Sequence, residues 1–456
     1  MSQQMEHPQK TIPRVPGLPI VGNLFDYREN RAELALRVAR ELGDIARLRI
    51  GLMPVVMVSS PELAREVFVD KQESFKKAPG LSFFGRPLLG NGLLTSEGDF
   101  HKKQRRMMAP MFVQKRIAAY ADVMAERAEK MARSFADGAT IDLSREMMEL
   151  TLEIVGKTLF DAEVRDEAEE IGAALTATME HIIQSINSFI PIPPSWPTPR
   201  NARNKKAIAR LDETIYRIIA QRRASRQDQG DLLSMLLLAR DEADPASGMD
   251  DKQVRDEAMT LFLAGHETTA NALAWAWYLV AQHPHVAARL SHEVDSVLEG
   301  RTPALEDLPR LPYAMQVFKE AMRLYPPAYI VGRMTREPVT MGGHRIGRHT
   351  IVVVNVIGMH HRAEYFPDPE RFDPDRFSAE REKAIPRYAF LPFGAGPRIC
   401  IGNHFALMEG QIILAAMAQR LRFELLSGAR VEAEPLITLR PRGGIPMRVR
   451  RRQPQA

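Results

Sequence analysis

The longest helical pattern in the sequence runs from Asp251 to Gln282, and it limits the fold more than any other segment. It covers about thirty residues, which is longer than most helices of globular proteins. Residues 258–281 are apolar on nearly every face, so this helix must be buried in a protein core or in a membrane. His266 and Glu267 lie at its middle, where ionisable groups are costly in lipid. The pattern therefore predicts a central core helix.

The remaining patterns predict a mainly helical protein with small β-sheets, an α+β fold. Apolar residues recur at helical spacing after Pro199 and again after Pro284, and proline is common in the first turn of a helix. Two strands joined by a tight turn are expected between Asp44 and Ser59. A second group of strands is expected at residues 339–341, 344–346 and 350–356. A last hairpin is expected from residues 436–439 and 446–449.

Composition limits the class of protein. The chain has 456 residues, 45% of them hydrophobic and 26% charged, as in ordinary globular proteins. No linker or repeat divides it, so we expect one domain over residues 1–456, with residues 1–11 a disordered lead-in. The polar N-terminus lacks the apolar stretch of a signal peptide or membrane anchor, which predicts a cytoplasmic protein. The net charge is +5, and the Lys and Arg residues are not clustered with interleaved aromatic residues, so no nucleic-acid partner is expected.

Cys400 is the only cysteine, which excludes intramolecular disulfides and multi-cysteine metal sites. Apolar residues follow it at helical spacing, which predicts that it lies at the start of a helix. There the helix dipole favours a thiolate, the form that binds metals and acts as a nucleophile. Gly394, Gly396 and Gly402 would let the backbone approach a flat ligand. From these residues alone, both a metal ligand and the nucleophile of a cysteine hydrolase are possible.

The residues around Cys400 resemble the haem-binding loop of the cytochrome P-450 family. The spacing Phe-x-x-Gly-x-Arg-x-Cys-x-Gly is met by Phe393, Gly396, Arg398, Cys400 and Gly402. The resemblance extends from Ile12 to the C-terminus. It implies that Cys400 is the axial iron ligand of haem b, iron protoporphyrin IX. It also implies that Phe393, Gly394 and Gly402 contact the haem and that Arg398 pairs with a haem propionate.

Further cations match the family's propionate partners. His101 and Arg105 stand one helical turn apart in a cationic segment, where the family commonly has an aromatic residue or histidine four residues before an arginine. Arg333 matches another propionate-pairing arginine of the family. The resemblance implies that these three side chains donate to the propionates, since carboxylates buried under a porphyrin need such donors.

The central helix contains the sequence Ala264-Gly265-His266-Glu267-Thr268. A zinc-protease motif would need a second histidine at position 270. The sequence has Ala270 there, which excludes a zinc-protease site of this kind. In the family, Ala264 and Gly265 leave space for dioxygen, and Glu267 and Thr268 form an acid–alcohol pair that delivers protons for its cleavage. A hydroxyl that can both donate and accept is suited to that transfer.

Glu320 and Arg323 are spaced so that their side chains can meet on one helix face. Together with Arg371 in the segment Pro369–Phe372, they resemble a structural Glu-Arg-Arg network of the family. Such a buried network costs desolvation, so removing Glu320 should prevent folding or haem retention.

The family positions that line the substrate cavity are mostly apolar in this sequence, and each of them is also compatible with plain core. The residues expected in the pocket are Leu81, Phe83, Phe84, Leu88, Leu94, Phe262, Ala264, Ala328, Tyr329, Ile330, Val331, Leu436 and Ile437.

The resemblance implies a monooxygenase that inserts one oxygen atom from O2 into a C–H bond. The apolar pocket favours a lipophilic substrate such as a fatty acid, a terpenoid or a steroid-like compound. No flavin or iron–sulfur segment is present, so we expect a separate ferredoxin or flavodoxin, with its reductase, to dock on the side of the cysteine. Lys102, Lys103 and Arg106 are candidate contacts on a chain expected to be monomeric.

Two other functions use the same kind of loop. A peroxide-driven peroxygenase or isomerase needs no reductase, and such proteins tend to lack the acid–alcohol pair. A non-catalytic haem-binding sensor needs neither proton delivery nor a substrate cavity. Glu267, Thr268 and the apolar pocket residues therefore favour the monooxygenase.

Overall fold

A computed structural model describes residues 11–160, 174–175, 177–182, 184–185, 192–225, 230–241 and 244–452. The expected disordered lead-in at residues 1–11 lies, except for Thr11, outside the described residues. The α-helices with defined bounds are Leu24–Glu29 (α1), Arg31–Leu42 (α2), Pro61–Arg65 (α3), Pro79–Phe84 (α4), Arg86–Leu89 (α5), Gly98–Met108 (α6), Gln114–Ile117 (α7), Ala121–Ser134 (α8), Leu143–Phe160 (α9), Pro199–Ser225 (α10), Leu232–Leu238 (α11), Asp251–Gln282 (α12), Pro284–Leu298 (α13), Pro312–Leu324 (α14), Val356–His360 (α15) and Asn403–Arg420 (α16).

Short strands separate these helices, as the sequence predicts. They are Ile45–Ile50 (β1), Met53–Val58 (β2), Phe75–Lys77 (β3), Thr140–Asp142 (β4), Arg240–Asp241 (β5), Asp244–Gly248 (β6), Val331–Thr335 (β7), Val339–Met341 (β8), His344–Ile346 (β9), Ile351–Val354 (β10), Leu421–Leu425 (β11), Ala433–Pro435 (β12), Leu439–Pro441 (β13) and Pro446–Arg451 (β14). The predicted mainly helical fold with small sheets is confirmed.

The chain divides into two compact units. The first, which we call the sheet unit, comprises Met1–Pro79, Ala328–Arg371 and Lys383–Cys400. The second, the helical unit, comprises Gly80–Pro327, Phe372–Glu382 and Ile401–Ala456.

The sheet unit is built around a five-stranded sheet with the order β1-β2-β10-β7-β3. Strands β1 and β2 form the predicted antiparallel pair, with Ile45 opposite Val58. Strand β10 runs parallel to β2 and antiparallel to β7. Val56, Val58, Val352 and Val354 are fully or almost fully buried, so this sheet carries the core of the unit.

The helical unit is organised by α12, which has the predicted bounds Asp251–Gln282. Asp250 caps it by accepting a hydrogen bond from the Gln253 backbone N–H at 2.7 Å, and it ends two residues before Pro284. Helices α9, α14 and α16 pack against it, and Trp275 is completely buried. In the described parts of the chain, no helix combines the length and the apolar character that spanning a bilayer requires. The prediction of a core helix is confirmed.

Two strand pairings differ from the prediction. Strand β10 joins the five-stranded sheet, while β8 pairs only with β9. The expected last hairpin is wrong, because β13 pairs with β12, and β14 lies between β11 and β4. Alternating apolar residues indicate where a strand lies, but they do not identify its partner, which depends on packing elsewhere in the chain.

Candidate active site

Cys400 ends a loop of the sheet unit that is closed by its own backbone hydrogen bonds. The Cys400 N–H donates to the Phe393 carbonyl at 2.9 Å, and the Ile399 N–H donates to the Gly396 carbonyl at 3.0 Å. The single cysteine is exposed at the end of this loop. Helix α16 begins at Asn403 with Gly402 as its N-cap, so Cys400 precedes the helix by three residues instead of starting it. The loop thus presents one thiol on a defined backbone.

The glycines of the loop have different roles. Gly394 and Gly396 have φ values of +70° and +69°, a region that L side chains rarely adopt. A Cβ on Gly396 would lie 2.0 Å from the Phe68 carbonyl oxygen, so close packing inside the protein requires this glycine. A Cβ on Gly394 would meet no atom within 4 Å. The expected approach to a flat ligand therefore suits Gly394, whereas Gly396 is needed for the fold.

Phe68 brings Arg333 to the cysteine loop. The Arg333 guanidinium carbon lies 5.2 Å from the centre of the Phe68 ring, and Phe68 is buried against Gly396. Arg398 lies in the 3₁₀ turn Gly396–Arg398 of the same loop, and both arginines are half-buried. Of the expected propionate partners, Arg333 thus packs on Phe68, which contacts the cysteine loop, and Arg398 belongs to that loop. Sequence reasoning missed Phe68, because an isolated phenylalanine gives no motif.

The other two expected propionate partners lie on α6 of the helical unit. His101 is buried and Arg105 is half-buried, one turn apart as predicted. The candidate docking residue Arg106 makes two hydrogen bonds to the buried carboxylate of Asp241, at 2.8 and 2.9 Å. Arg106 therefore anchors the helix and is a poorer docking contact than the exposed Lys102.

The middle of α12 changes from buried to accessible at Ala264. Phe262, Leu263 and His266 are buried, while Ala264 is exposed. Gly265 faces α9 instead: a Cβ on it would lie 3.1 Å from Val155 Cγ2. Ala264 therefore fits the expected small residue beside dioxygen. The missing side chain of Gly265 allows two helices to pack closely, and its role beside dioxygen stays a prediction.

The predicted acid–alcohol pair is held by groups on two elements. Thr438 Oγ1 donates a hydrogen bond to Glu267 Oε1 at 2.6 Å, and Asn271 Nδ2 donates to Thr438 Oγ1 at 3.1 Å. Thr268 Oγ1 donates to the Ala264 carbonyl at 2.7 Å. The only hydroxyl proton of Thr268 is thus used within the helix, and its lone pairs can still accept. Thr438, which holds the carboxylate, was not anticipated from the sequence.

His266 is a structural residue of α12. Its ring is buried, and Nδ1 lies 3.1 Å from the Phe262 carbonyl, which can only accept a hydrogen bond. Burial lowers the pKa of His266, and the charge of Glu267 works in the opposite direction. Within the described residues, no group of three or more His, Cys, Asp or Glu side chains is arranged to hold a metal ion.

The expected Glu-Arg-Arg network exists, but with a different second arginine. Glu320 and Arg323 are completely buried, and Arg323 donates to the two Glu320 oxygens at 2.7 and 2.8 Å. Arg376 Nε and the Asp373 backbone N–H also donate to Glu320 Oε1, at 3.2 and 3.0 Å. Arg371 is exposed, so its predicted place in the network is wrong.

The error arises because the pattern Pro-x-Arg-Phe occurs twice, at residues 369–372 and 374–377. The second copy forms a 3₁₀ turn that Asp373 caps, and this turn buries Arg376. Burial lowers the pKa of Arg376, and the charge of Glu320 works against this effect. Glu320 thus pairs with two buried guanidinium groups, those of Arg323 and Arg376.

The expected pocket residues fall into two groups. Leu88, Phe262 and Tyr329 are at most 2% exposed and belong to the core, which contradicts their predicted place in a cavity wall. For Tyr329 the reason is its hydroxyl, which bonds to Arg31, while burial raises the pKa of the phenol. The side chain of Leu81 lies outside the described residues. The accessible or half-buried residues are Phe83, Phe84, Leu94, Ala264, Ala328, Ile330, Val331, Leu436 and Ile437.

The chain is similar to known proteins over nearly its whole length. Residues 13–445 match the family model of cytochrome P-450. The chain is 38% identical to cyclooctatin synthase of Streptomyces melanosporofaciens, over 93% of this chain and 92% of the relative. It is 39% identical to cyclooctat-9-en-7-ol 5-monooxygenase of the same organism, over 85% and 84%. It is 33% identical to pentalenene oxygenase of Streptomyces avermitilis, over 93% and 92%. The chain therefore belongs to the cytochrome P-450 family of monooxygenases.

Proposed function

We propose that this monooxygenase hydroxylates a lipophilic terpenoid, using a haem b whose iron is bound by Cys400. The observation that carries the proposal is the loop itself: it presents the chain's single thiol, and the space beside Gly394 is open. These features fit a planar ligand attached through sulfur. When bound, the haem supplies the transfer of electrons to dioxygen and the cleavage of the O–O bond, which a thiolate ligand favours. A haem-thiolate cofactor is implied by membership of the cytochrome P-450 family.

Four cations are proposed to hold the haem propionates: His101, Arg105, Arg333 and Arg398. Arg333 and Arg398 are supported by their positions: Arg333 packs on Phe68, Arg398 lies in the cysteine loop, and both side chains are half-buried. His101 and Arg105 are supported by their spacing on one face of α6. Charge-assisted hydrogen bonds from such groups fix the orientation of a carboxylate.

Glu267 and Thr268 are proposed to deliver protons to the reaction. Glu267 is half-buried, and its carboxylate is oriented by Thr438, which leaves its second oxygen able to take up a proton from water. Thr268 lies next to it on the accessible part of α12, beside Ala264. A carboxyl group and a hydroxyl in this order can pass protons inward one at a time.

Replacing Thr268 with Ala is expected to uncouple oxygen use from product formation. The loss of proton delivery should lower the product formed per electron pair roughly 10–100-fold, with hydrogen peroxide released instead. The measurement is the ratio of product to NADH consumed, with peroxide assayed in parallel. Thr268→Ser keeps the hydroxyl and should stay close to the parent protein. Equal coupling in all three proteins would contradict this role and would favour a peroxygenase.

The terpenoid is supported by the side chains and by the relatives. The accessible residues among those proposed to line the pocket, such as Phe83, Leu94 and Ile437, are apolar, which favours a neutral lipophilic substrate. Three relatives with 33–39% identity are named for cyclooctatin, cyclooctat-9-en-7-ol and pentalenene. A neutral ring hydrocarbon or its alcohol therefore suits this chain better than a fatty acid.

The test is a titration of the haem-loaded ferric protein with a polycyclic terpene hydrocarbon and, separately, with a long-chain fatty acid. The terpene should displace water from the iron, shift the spectrum from low to high spin, and give a hydroxylated product with a surrogate redox system. The fatty acid should do so only at much higher concentration. Tighter binding and faster turnover of the fatty acid would contradict the proposed substrate class.

The electron donor is proposed to be a small acidic ferredoxin or flavodoxin that contacts Lys102 and Lys103. Lys102 is exposed, and its ammonium lies 3.8 Å from Asp99 at the start of the same helix. Lys103 is partly exposed and lies 3.9 Å from Asp241. Arg106 donates a hydrogen bond to Asp241 and so helps to fix the helix that carries these two lysines.

Reversing the charge of Lys102 and Lys103 to Glu is expected to slow reduction by an acidic ferredoxin roughly tenfold at low salt, because electrostatic attraction sets the rate of encounter. The rate should also become less sensitive to ionic strength. Lys205 and Lys206, two exposed neighbours on α10, provide a matched control for the double substitution. Unchanged reduction in the first variant, or an equal loss in the control, would place the docking surface elsewhere.

A further inference from the structure

His360 is a buried histidine of the sheet unit to which the proposed function assigns no role. It ends the short helix α15 and is completely buried. Its Nε2 accepts a hydrogen bond from the Leu391 backbone N–H at 3.0 Å. The rings of Phe366 and Phe390 lie beside the imidazole, with centres 6.2 and 5.3 Å away. A nitrogen that accepts an N–H carries no proton, so His360 is held as the tautomer protonated at Nδ1.

The helix that carries His360 is fixed to the core of the sheet unit. Asn355 caps α15, because its Oδ1 accepts a hydrogen bond from the Gly358 N–H at 2.9 Å. Its Nδ2 donates to the Ala35 carbonyl at 2.7 Å and to Ser59 Oγ at 3.0 Å. Asn355 is completely buried. The imidazole therefore has little freedom to move relative to the sheet.

Leu391 is where the cysteine loop begins. Its carbonyl accepts a hydrogen bond from the Gly394 N–H at 3.2 Å, and the Phe393 carbonyl accepts one from the Cys400 N–H at 2.9 Å. Hydrogen bonds thus lead from His360 through Leu391 and the loop backbone to Cys400. The bond to Leu391 is the one in this series that depends on a side chain.

We propose that His360 is a positioning residue that fixes the start of the loop and so keeps Cys400 bound to iron as a thiolate. The inference rests on the proposed function, since it assumes that Cys400 is the iron ligand. Groups that orient a ligand from behind commonly change metal affinity or activity by about 10–100-fold when they are removed. Without the imidazole, the Leu391 N–H would be buried with no acceptor, and the loop would shift to find one.

The test compares His360→Gln, His360→Asn and His360→Leu in the haem-loaded protein, with the Soret band of the reduced carbon monoxide complex and the reduction potential as readouts. Gln can place its carbonyl oxygen near the position of Nε2, while the shorter Asn cannot. The Gln variant should keep the red-shifted band of thiolate ligation. Asn and Leu should increase the fraction absorbing at the shorter wavelength of a neutral sulfur ligand several-fold and should raise the potential.

His361→Leu is the matched control, since His361 lies beside His360 and bonds through Nδ1 to the Ile357 carbonyl at 2.9 Å, away from the loop. It should lower stability without changing the fraction of thiolate. If His360→Leu fails to fold, the comparison of Gln with Asn decides. Equal spectra and potentials for Gln and Asn, or an equal change in the control, would overturn the role of His360. Absence of the red-shifted band in the parent protein would instead overturn the proposed function.

Discussion

Replacing Glu320 with Ala should leave little or no folded protein. The substitution removes the carboxylate that Arg323 and Arg376 both contact, although both arginines are buried, and it takes this acceptor from two guanidinium groups and from the Asp373 N–H. Breaking a buried charge pair in this way costs about 3–5 kcal/mol of unfolding free energy. Domains have only about 5–15 kcal/mol in total. The measurement is the yield of soluble protein and, where it can be purified, its thermal unfolding followed by circular dichroism.

The two arginines with the same local sequence give the control. Arg376→Ala should lower the unfolding midpoint strongly, because Glu320 then keeps a buried charge with one partner fewer. Arg371→Ala should change stability by no more than about 0.5 kcal/mol, as is usual for exposed positions. Equal effects of the two substitutions, or a Glu320→Ala protein as stable as the parent, would contradict the observed network.

Glu409→Gln is expected to stabilise the protein at alkaline pH. Glu409 lies on α16 and is completely buried, and neither carboxyl oxygen makes a hydrogen bond of ordinary geometry with the described residues. Burial raises its pKa to about 8, although the Thr269 hydroxyl acts in the opposite direction. The folded protein therefore keeps a neutral carboxyl group at neutral pH.

The direction of the pH effect follows from the difference between the pKa of Glu409 in the folded protein and its pKa in the unfolded chain. The unfolded chain loses this proton near the ordinary pKa of 4.5, while the folded chain holds it until about pH 8. The contribution of Glu409 to the free energy of unfolding is therefore fully present below pH 4.5. It falls as the pH rises to about 8, by roughly 4–5 kcal/mol in all. Glutamine cannot ionise, so the variant should lack this fall.

The measurement is the free energy of unfolding in denaturant between pH 5 and pH 9 for the parent and for Glu409→Gln, at intervals of about one pH unit. Glu380→Gln, at an exposed position, controls for the loss of one negative charge. The curves of the parent and of Glu380→Gln should be parallel. The Glu409→Gln curve should rise above both of them with increasing pH. Parallel curves for all three proteins would show that Glu409 ionises normally.

Much of the fold could be predicted because its signals are local. The bounds of α12 follow from an unbroken apolar pattern between Asp250, a capping residue, and Pro284. The pair β1 and β2 follows from alternation around a tight turn. The partners of β10 and β14 could not be predicted, because pairing between distant segments depends on which faces the whole chain buries.

The site shows the same division between local and distant information. Cys400, Glu267 and Thr268 belong to continuous motifs and were named from them. Thr438 and His360 form side-chain hydrogen bonds with residues far away in the sequence, so no spacing identifies them. Arg376 could not be identified for another reason. The motif Pro-x-Arg-Phe occurs twice, five residues apart, and only the burial of Arg376 distinguishes it from Arg371.

The bond between the sulfur of Cys400 and iron can be tested directly by spectroscopy. The recombinant protein is loaded with haem, reduced, and exposed to carbon monoxide, next to a Cys400→Ser variant treated in the same way. The parent should show the strongly red-shifted Soret band of a thiolate-bound carbonyl complex, and the variant should lack it. A parent protein without that band, or a Cys400→Ser variant that retains it, would contradict iron ligation by Cys400.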